Sequence, residues 1–193
     1  LTASRWGYRR KARLGVKYVR KKEKMLVGFR ERRNALLAEL EQCPVLHPRV
    51  GERLRELAAL IESLSIYERV PQVEVAVGDH SAALVFRHLE ALTPEDLERL
   101  RSFGERWEFE IFLQPGGPDT VHLLWPEQTG LSYRLPEFDV TLWFGPTDFT
   151  QVNGELNRLM VHAAVEHLAV QPEERVLDLF CGLGNFSLPL ATR

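Results

Sequence analysis

The chain has 193 residues, 45% hydrophobic and 27% charged, which is long enough for a sizeable core and ordinary for a globular protein. No apolar run approaches the roughly 18 residues of a membrane helix, and two cysteines fit a reducing cytoplasm better than a disulfide scaffold. The net charge of −2 conceals an asymmetry: residues 1–33 hold 13 Lys/Arg against two acids, Glu23 and Glu31, and the remainder holds 12 bases against 25 acids. Leu1 stands where an initiator methionine would, so the chain is expected to begin inside a longer protein.

In chain order, Arg9 to Tyr18 alternates basic and apolar residues. Period-two alternation puts Arg9, Lys11, Arg13 and Lys17 on one face of a strand and Ala12, Leu14, Val16 and Tyr18 on the other. So many like charges on one face repel each other unless an anion neutralises them. A nucleic-acid phosphate backbone is the expected partner, contributing affinity with little sequence discrimination. Arg20–Lys24 reads as a turn and Met25–Phe29 as the return strand. Residues 34–47 read as a short helix-like run ended by Pro44, and Arg49–Ile66 has helical apolar spacing. Strands are expected at Gln72–Val77 and Ala82–Arg87. A helix follows from Pro94 to Phe103, with Thr93 as its cap. Four more strand-like runs follow, at Trp107–Leu113, Thr120–Leu124, Leu131–Arg134 and Val140–Phe144. Residues 1–146 therefore read as an α+β domain with a mainly antiparallel sheet.

The pattern changes at Gly145-Pro146. Asn153 can cap a helix from Gly154 whose buried face is marked by Leu156, Leu159, Met160, Ala163, Ala164 and Leu168, widened by Val161 and Val165. A Gln171-Pro172 turn leads to a buried strand around Val176, Leu177 and Leu179, a glycine loop at Gly182 and Gly184, and a helix from about Phe186. Residues 147–193 thus read as the opening of an α/β domain. Strand, glycine loop and helix is the order of a nucleotide or cofactor site, where the backbone can approach a ligand closely and helix N–H groups favour an anion. A lone G-x-G is shared by several cofactor classes and by plain tight turns. Asp178 inside the strand end and Phe186 after the loop narrow the pattern.

With Asp178-Leu-Phe-Cys-Gly-Leu-Gly-Asn-Phe186, and with Asp148-Phe-Thr-Gln-Val-Asn153 before the preceding helix, the chain resembles the S-adenosylmethionine-dependent RNA uracil C5-methyltransferases, most of all the branch that acts on bacterial 23S ribosomal RNA. The likeness extends through the Tyr8–Val19 strand, Val27–Arg30 and Gln42–Leu46. It implies a Rossmann-like class I methyltransferase domain beginning at residue 147. It also implies S-adenosylmethionine binding by Gln151, Phe180 and Asn185, and Asp178, Gly182 and Gly184 of the loop are expected to contact the cofactor as well. Each has a plain alternative: Gln151 as a helix cap, Phe180 as core, Asn185 as a turn residue and Asp178 as an anchor of the loop backbone. Phe149 falls where the family has an aromatic near the extruded uracil, or it packs in the core.

Read alone, Cys43 is a small buried hydrophobe. The resemblance makes it one ligand of a 4Fe-4S cluster whose other three cysteines would precede Leu1. In the family a cysteine thiolate adds to C6 of uracil and a glutamate removes the C5 proton. Both would lie beyond Arg193, whereas Cys181 sits in the donor's own loop and is expected to pack there. The 193 residues alone are expected to be inactive and to bind cofactor poorly. The resemblance implies a cytoplasmic monomer acting on 23S rRNA, away from membranes. A tRNA uracil methyltransferase, which lacks the cluster, and a non-catalytic RNA-binding module are the rival readings.

Overall fold

A computed structural model describes residues 1–34 and 36–193. Its centre is a six-stranded sheet in the order β2-β1-β3-β4-β5-β6. The strands are β1 (Lys11–Val19), β2 (Lys24–Gly28), β3 (Gln72–Val77), β4 (Ala82–Arg87), β5 (Glu110–Gln114) and β6 (His122–Trp125). Every neighbouring pair is antiparallel except β4 and β5, whose parallel pairing needs a crossover. That crossover is helix α3 (Pro94–Trp107). The expected α+β class and mainly antiparallel sheet are therefore observed.

The sheet is apolar on both faces. Val73, Val75 and Val77 on β3, Leu84 and Phe86 on β4, and Ile111 and Leu113 on β5 join one core with α1 (Pro48–Gly51), α2 (Leu54–Ser63) and α3. The intervening Ala76, Ala83, Val85 and Phe112 face the other way and meet Leu131 and Phe144. These last residues flank a two-stranded ribbon of β7 (Ser132–Leu135) and β8 (Val140–Trp143). The ribbon's far side, with Leu135, Phe138 and Leu142, covers Val161 and Val165 of α4 (Gly154–Leu168) and Leu190 of α5 (Ser187–Leu190). Period-two burial on both faces places α4 and the glycine loop on the ribbon side, opposite α2 and α3.

Thr93 and Asp96 close a capping box at the start of α3, and the fully buried Asp96 carboxylate also accepts hydrogen bonds from Ser65. Burial opposes the charged form of Asp96, yet the Ser65 and Thr93 hydrogen bonds hold its pKa below the usual carboxylate value.

Several local expectations are corrected. The described residues of 34–47 hold no helix; the stretch from Leu36 to Ala38 runs beside the end of β2, with the Ala38 N–H donating to the Phe29 carbonyl. The cause is a trough left by two cross-strand glycines. Gly15 faces Gly28, and added Cβ atoms there would meet Leu37 at 2.7 Å and Leu40 at 3.4 Å. The Arg49–Ile66 run is two helices, broken at Glu52-Arg53. Trp107 ends α3 instead of opening β5; the guanidinium groups of Arg53 and Arg106 lie 4.5 and 4.9 Å from its ring. The stripe from Leu156 to Leu168 is not the buried face of α4. Asn157, Val161 and Val165 are buried, whereas Leu156, Leu159 and Leu168 are exposed. Residues 176–179 are not in a strand, and Leu177 is 80% exposed. No strand among the described residues lies beside them to accept their backbone hydrogen bonds or cover their side chains. None of the described helices is long and apolar enough to cross a membrane.

Candidate functional site

The segment before α4 is fixed by the beginning of the basic strand. The Arg10 N–H donates to the Val152 carbonyl at 2.8 Å, and Arg9 forms a bridge with Asn153. Asn153 caps α4 by accepting from the Leu156 N–H at 2.9 Å. Gln151 is therefore not the cap; its side chain is half-buried and makes no hydrogen bond among the described residues.

The mount of α4 on the sheet is an ionic cluster at Asp79, in the turn between β3 and β4. Its carboxylate accepts from Arg10 at 3.0 Å, from Arg158 at 2.9 and 3.0 Å, and from the Arg134 N–H at 2.9 Å. One acid thereby joins the start of β1, the ribbon and α4. Beside it a cavity of about 20 Å³, roughly the room for one water, is lined by Arg10, Asp79, Gln151 and Asn157.

The glycine loop is set by three left-handed residues, Phe180 (φ +64°), Gly182 (φ +57°) and Gly184 (φ +85°). At Gly184 a Cβ would also sit 2.9 Å from Leu188, so glycine is needed for space as well as conformation. Leu183, between the glycines, reaches down to both apolar clusters of the ribbon and anchors the loop. Asp178 Oδ2 accepts from Ser187 Oγ at 2.6 Å, tying the loop's entry to the start of α5. That partner is a side chain; no loop backbone N–H donates to Asp178 among the described residues.

Between the two segments lies a cleft of about 120 Å³, lined by Phe149, Thr150 and Gln151 on one side and Asp178, Phe180, Cys181, Gly182 and Asn185 on the other. Six residues expected to contact cofactor or base thus line one cleft, and Gly184 does not line it. Phe180 is fully exposed and Phe149 is 80% exposed, so neither is core. A phenylalanine in the left-handed region is strained by about 1–2 kcal/mol with no packing to offset it. Cys181 is exposed on the same cleft; the expected packing is not observed.

Tyr133 and Asn157 belong to the site and were not expected there. Asn157 is only 4% exposed and exchanges a reciprocal pair of 2.9 Å hydrogen bonds with Asn185, while the Tyr133 hydroxyl donates to Asn185 Oδ1 at 3.0 Å. A signal for Asn157 was available: it shares a face with Val161 and Val165 at spacings of four, and a polar residue on a buried helical face needs a partner.

The basic face is only partly free. Lys11 reaches the Pro146 carbonyl, and its burial lowers its pKa. Arg13 pairs with Glu74 at 2.9 Å, and the Arg9 guanidinium lies 5.7 Å from the Phe29 ring. Lys17 is exposed with no ion pair among the described residues, as are Lys21, Arg32 and Arg33. Lys22 and Lys24 both pair with Glu39 and hold its carboxyl down to about 2.

Cys43 is buried at 8% exposure, its N–H donating to the Gly51 carbonyl at 2.8 Å. It lines a separate cleft of about 490 Å³ with Trp6, Gly7 and Pro44. The other cysteine, Cys181, lines the cleft at the glycine loop, so the described residues place one cysteine at the cleft beside Trp6.

Over residues 8–193 the chain matches the family model described as tRNA (Uracil-5-)-methyltransferase, and it belongs to that family. It is 57% identical over its full length to the 23S rRNA (uracil(1939)-C(5))-methyltransferase RlmD of Alkalilimnicola ehrlichii and 54% identical to that of Methylococcus capsulatus. The chain spans 44% of the length of each. The RlmD of Nitrosococcus oceani is 57% identical over 96% of the chain and 41% of its own length. Among solved structures, the Pyrococcus abyssi tRNA (uracil-54, C5)-methyltransferase in complex with S-adenosyl-L-homocysteine superposes with a TM-score of 0.66. It is 20% identical and covers 97% of this chain and 47% of that one, which shows a shared fold.

Proposed function

We propose that this chain forms the RNA-facing α+β part and the first wall of the S-adenosylmethionine site of a 23S rRNA uracil-C5-methyltransferase. The observation that carries this reading is the convergence of Gln151, Phe180 and Asn185 on one cleft from segments almost 30 residues apart. The exposed aromatic of Phe180 suits an adenine or methionyl face, and the amides suit carboxylate, amine or ribose hydroxyls. Phe149, on the opposite lip, suits an unstacked uracil. Complexing with S-adenosyl-L-homocysteine in a protein of the same fold supports the assignment.

Residues 147–193 are read as the opening of a Rossmann-like domain and 1–146 as a separate central domain. The exposed Val176, Leu177 and Leu179 suit a strand whose neighbours come from the part of the relatives' length this chain does not span. The cysteine that would add to C6 and activate C5 is assigned to that part, as is the glutamate that would take the C5 proton so that the C6–S bond breaks and the thiolate is released; a bound methyl donor would supply the methyl group to C5. Cys181 is not that nucleophile, since it lies in the donor's loop. The site is cytoplasmic, with 23S rRNA as partner.

Cys43 fits one position of an iron–sulfur cluster: its buried thiol opens onto a cleft of adequate size, and a 4Fe-4S cluster would need three further thiolates from outside these residues. Such a cluster would serve to fix the Trp6–Leu46 region, and no step of methyl transfer runs through it.

The test is incubation of the full-length protein with 23S rRNA or tRNA and S-adenosylmethionine labelled in the methyl group, followed by digestion to nucleosides. Label in 5-methyluridine from 23S rRNA is expected. Label from tRNA alone would favour the tRNA reading, and RNA binding without label the non-catalytic module.

A further inference from the structure

Asn185 is the one cleft-lining amide whose orientation its neighbours dictate. Its Oδ1 accepts from the Tyr133 hydroxyl at 3.0 Å and from Asn157 Nδ2 at 2.9 Å, which fills both lone pairs. Its Nδ2 donates one proton to Asn157 Oδ1 at 2.9 Å. The capacity left to Asn185 within the described residues is a single N–H, a donor.

Asn157 alone could not enforce this, because two amides pair reciprocally in either orientation. The Tyr133 hydroxyl favours one orientation. Burial pushes its pKa up to about 12, so the hydroxyl stays protonated, and Asn185 Oδ1 is the acceptor it reaches. Turning the Asn185 amide over would set its N–H against the hydroxyl oxygen, which can accept, but would take from the half-buried O–H the acceptor it now has. We infer that Tyr133 and Asn157 are positioning residues that lock Asn185 as a hydrogen-bond donor toward an oxygen of the bound methyl donor, its carboxylate or a ribose hydroxyl. This rests on reading the cleft as the methyl-donor site. Asn157 acts entirely through Asn185, since it lies behind the cleft wall and does not line it. The assignment also fixes what Asn185 rejects, because a lone N–H donor cannot face the ligand's ammonium group.

The test is calorimetric binding of S-adenosylhomocysteine to the full-length protein and its variants, with thermal melts to confirm folding. Tyr133→Phe is expected to raise Kd about 3- to 10-fold, the value of one hydrogen bond. Placed on an Asn185→Ala background it should raise Kd no further. Asn157→Leu should behave in the same way, weakening binding only when Asn185 is present. An equal loss from Tyr133→Phe on both backgrounds would overturn the inference, because the hydroxyl would then act independently of Asn185. Unchanged affinity of Asn185→Ala would overturn it while leaving the site reading intact. Failure of the unsubstituted protein to bind S-adenosylhomocysteine would instead overturn the site reading, and the inference with it.

Discussion

Replacing Asp79 tests whether the wall carrying Gln151 and Asn157 is mounted on the sheet by one carboxylate. Asp79→Ala leaves the Arg10 and Arg158 guanidinium groups and the Arg134 N–H without that acceptor. The Asp79 and Arg10 side chains are 14% and 21% exposed, so solvent only partly replaces the lost partner; Arg158, at 39%, is compensated better. A hydrogen bond to a charged group is worth about 1.5–3 kcal/mol, and breaking a fully buried pair costs about 3–5. Discounting the exposed Arg158 arm gives a loss of about 2–4 kcal/mol. For a chain of this size that is a fall in Tm of about 5–15 °C. Asp79→Asn, which can still accept from the Arg134 N–H, should fall between. Asp139→Asn, at an exposed ion pair with Arg134, should change stability by less than about 0.5 kcal/mol. Urea and thermal unfolding measure all three. A loss below about 0.5 kcal/mol for Asp79→Ala would refute the mounting role.

Other substitutions separate stability from binding. Phe180→Ala should leave unfolding free energy within about 0.5 kcal/mol, against the 3–5 expected for a buried phenylalanine, yet weaken S-adenosylhomocysteine binding. Lys17→Gln and Lys21→Gln should each weaken rRNA binding and reduce the salt slope by roughly one, while Lys11→Met leaves that slope unchanged and lowers stability. Glu39→Gln frees Lys22 and Lys24 and should tighten rRNA binding with a steeper salt dependence. Because the folded-state carboxyl of Glu39 is depressed, its ion pairs contribute fully above the ordinary carboxylate pKa and are lost as pH falls through about 2. A carboxyl NMR titration with its midpoint near 4.5 would contradict that pairing. Cys43→Ser in the full-length protein should lower iron content and visible absorbance; unchanged iron would remove Cys43 from the cluster.

Much of the sheet was legible because each strand carries its own period. Gln72–Val77 and Ala82–Arg87 were read with their observed bounds, since β-branched and apolar runs bounded by turns need no tertiary context. The helix expected over residues 34–47 fails because Leu37 and Leu40 pack into a trough at Gly15 and Gly28, 22 and 12 residues earlier. The face of α4 was misjudged for a related reason. Leu156, Leu159 and Leu168 form the more apolar stripe, yet the ribbon is what covers α4 here, and it takes Val161, Val165 and Asn157. The cleft residues were legible through their motifs. Their supports, Tyr133, Asn157 and Asp79, were not, because each acts through partners 28 to 79 residues away and belongs to no local pattern.

The central claim, that Gln151 and the glycine loop are two walls of one methyl-donor site, is tested most directly by calorimetric titration of S-adenosylhomocysteine into the full-length protein and its Gln151→Ala variant. Gln151 makes no hydrogen bond within the described residues, so its loss should leave the melting temperature unchanged and raise Kd by about ten-fold or more, the worth of one or two hydrogen bonds to ligand. An unchanged Kd would contradict the account.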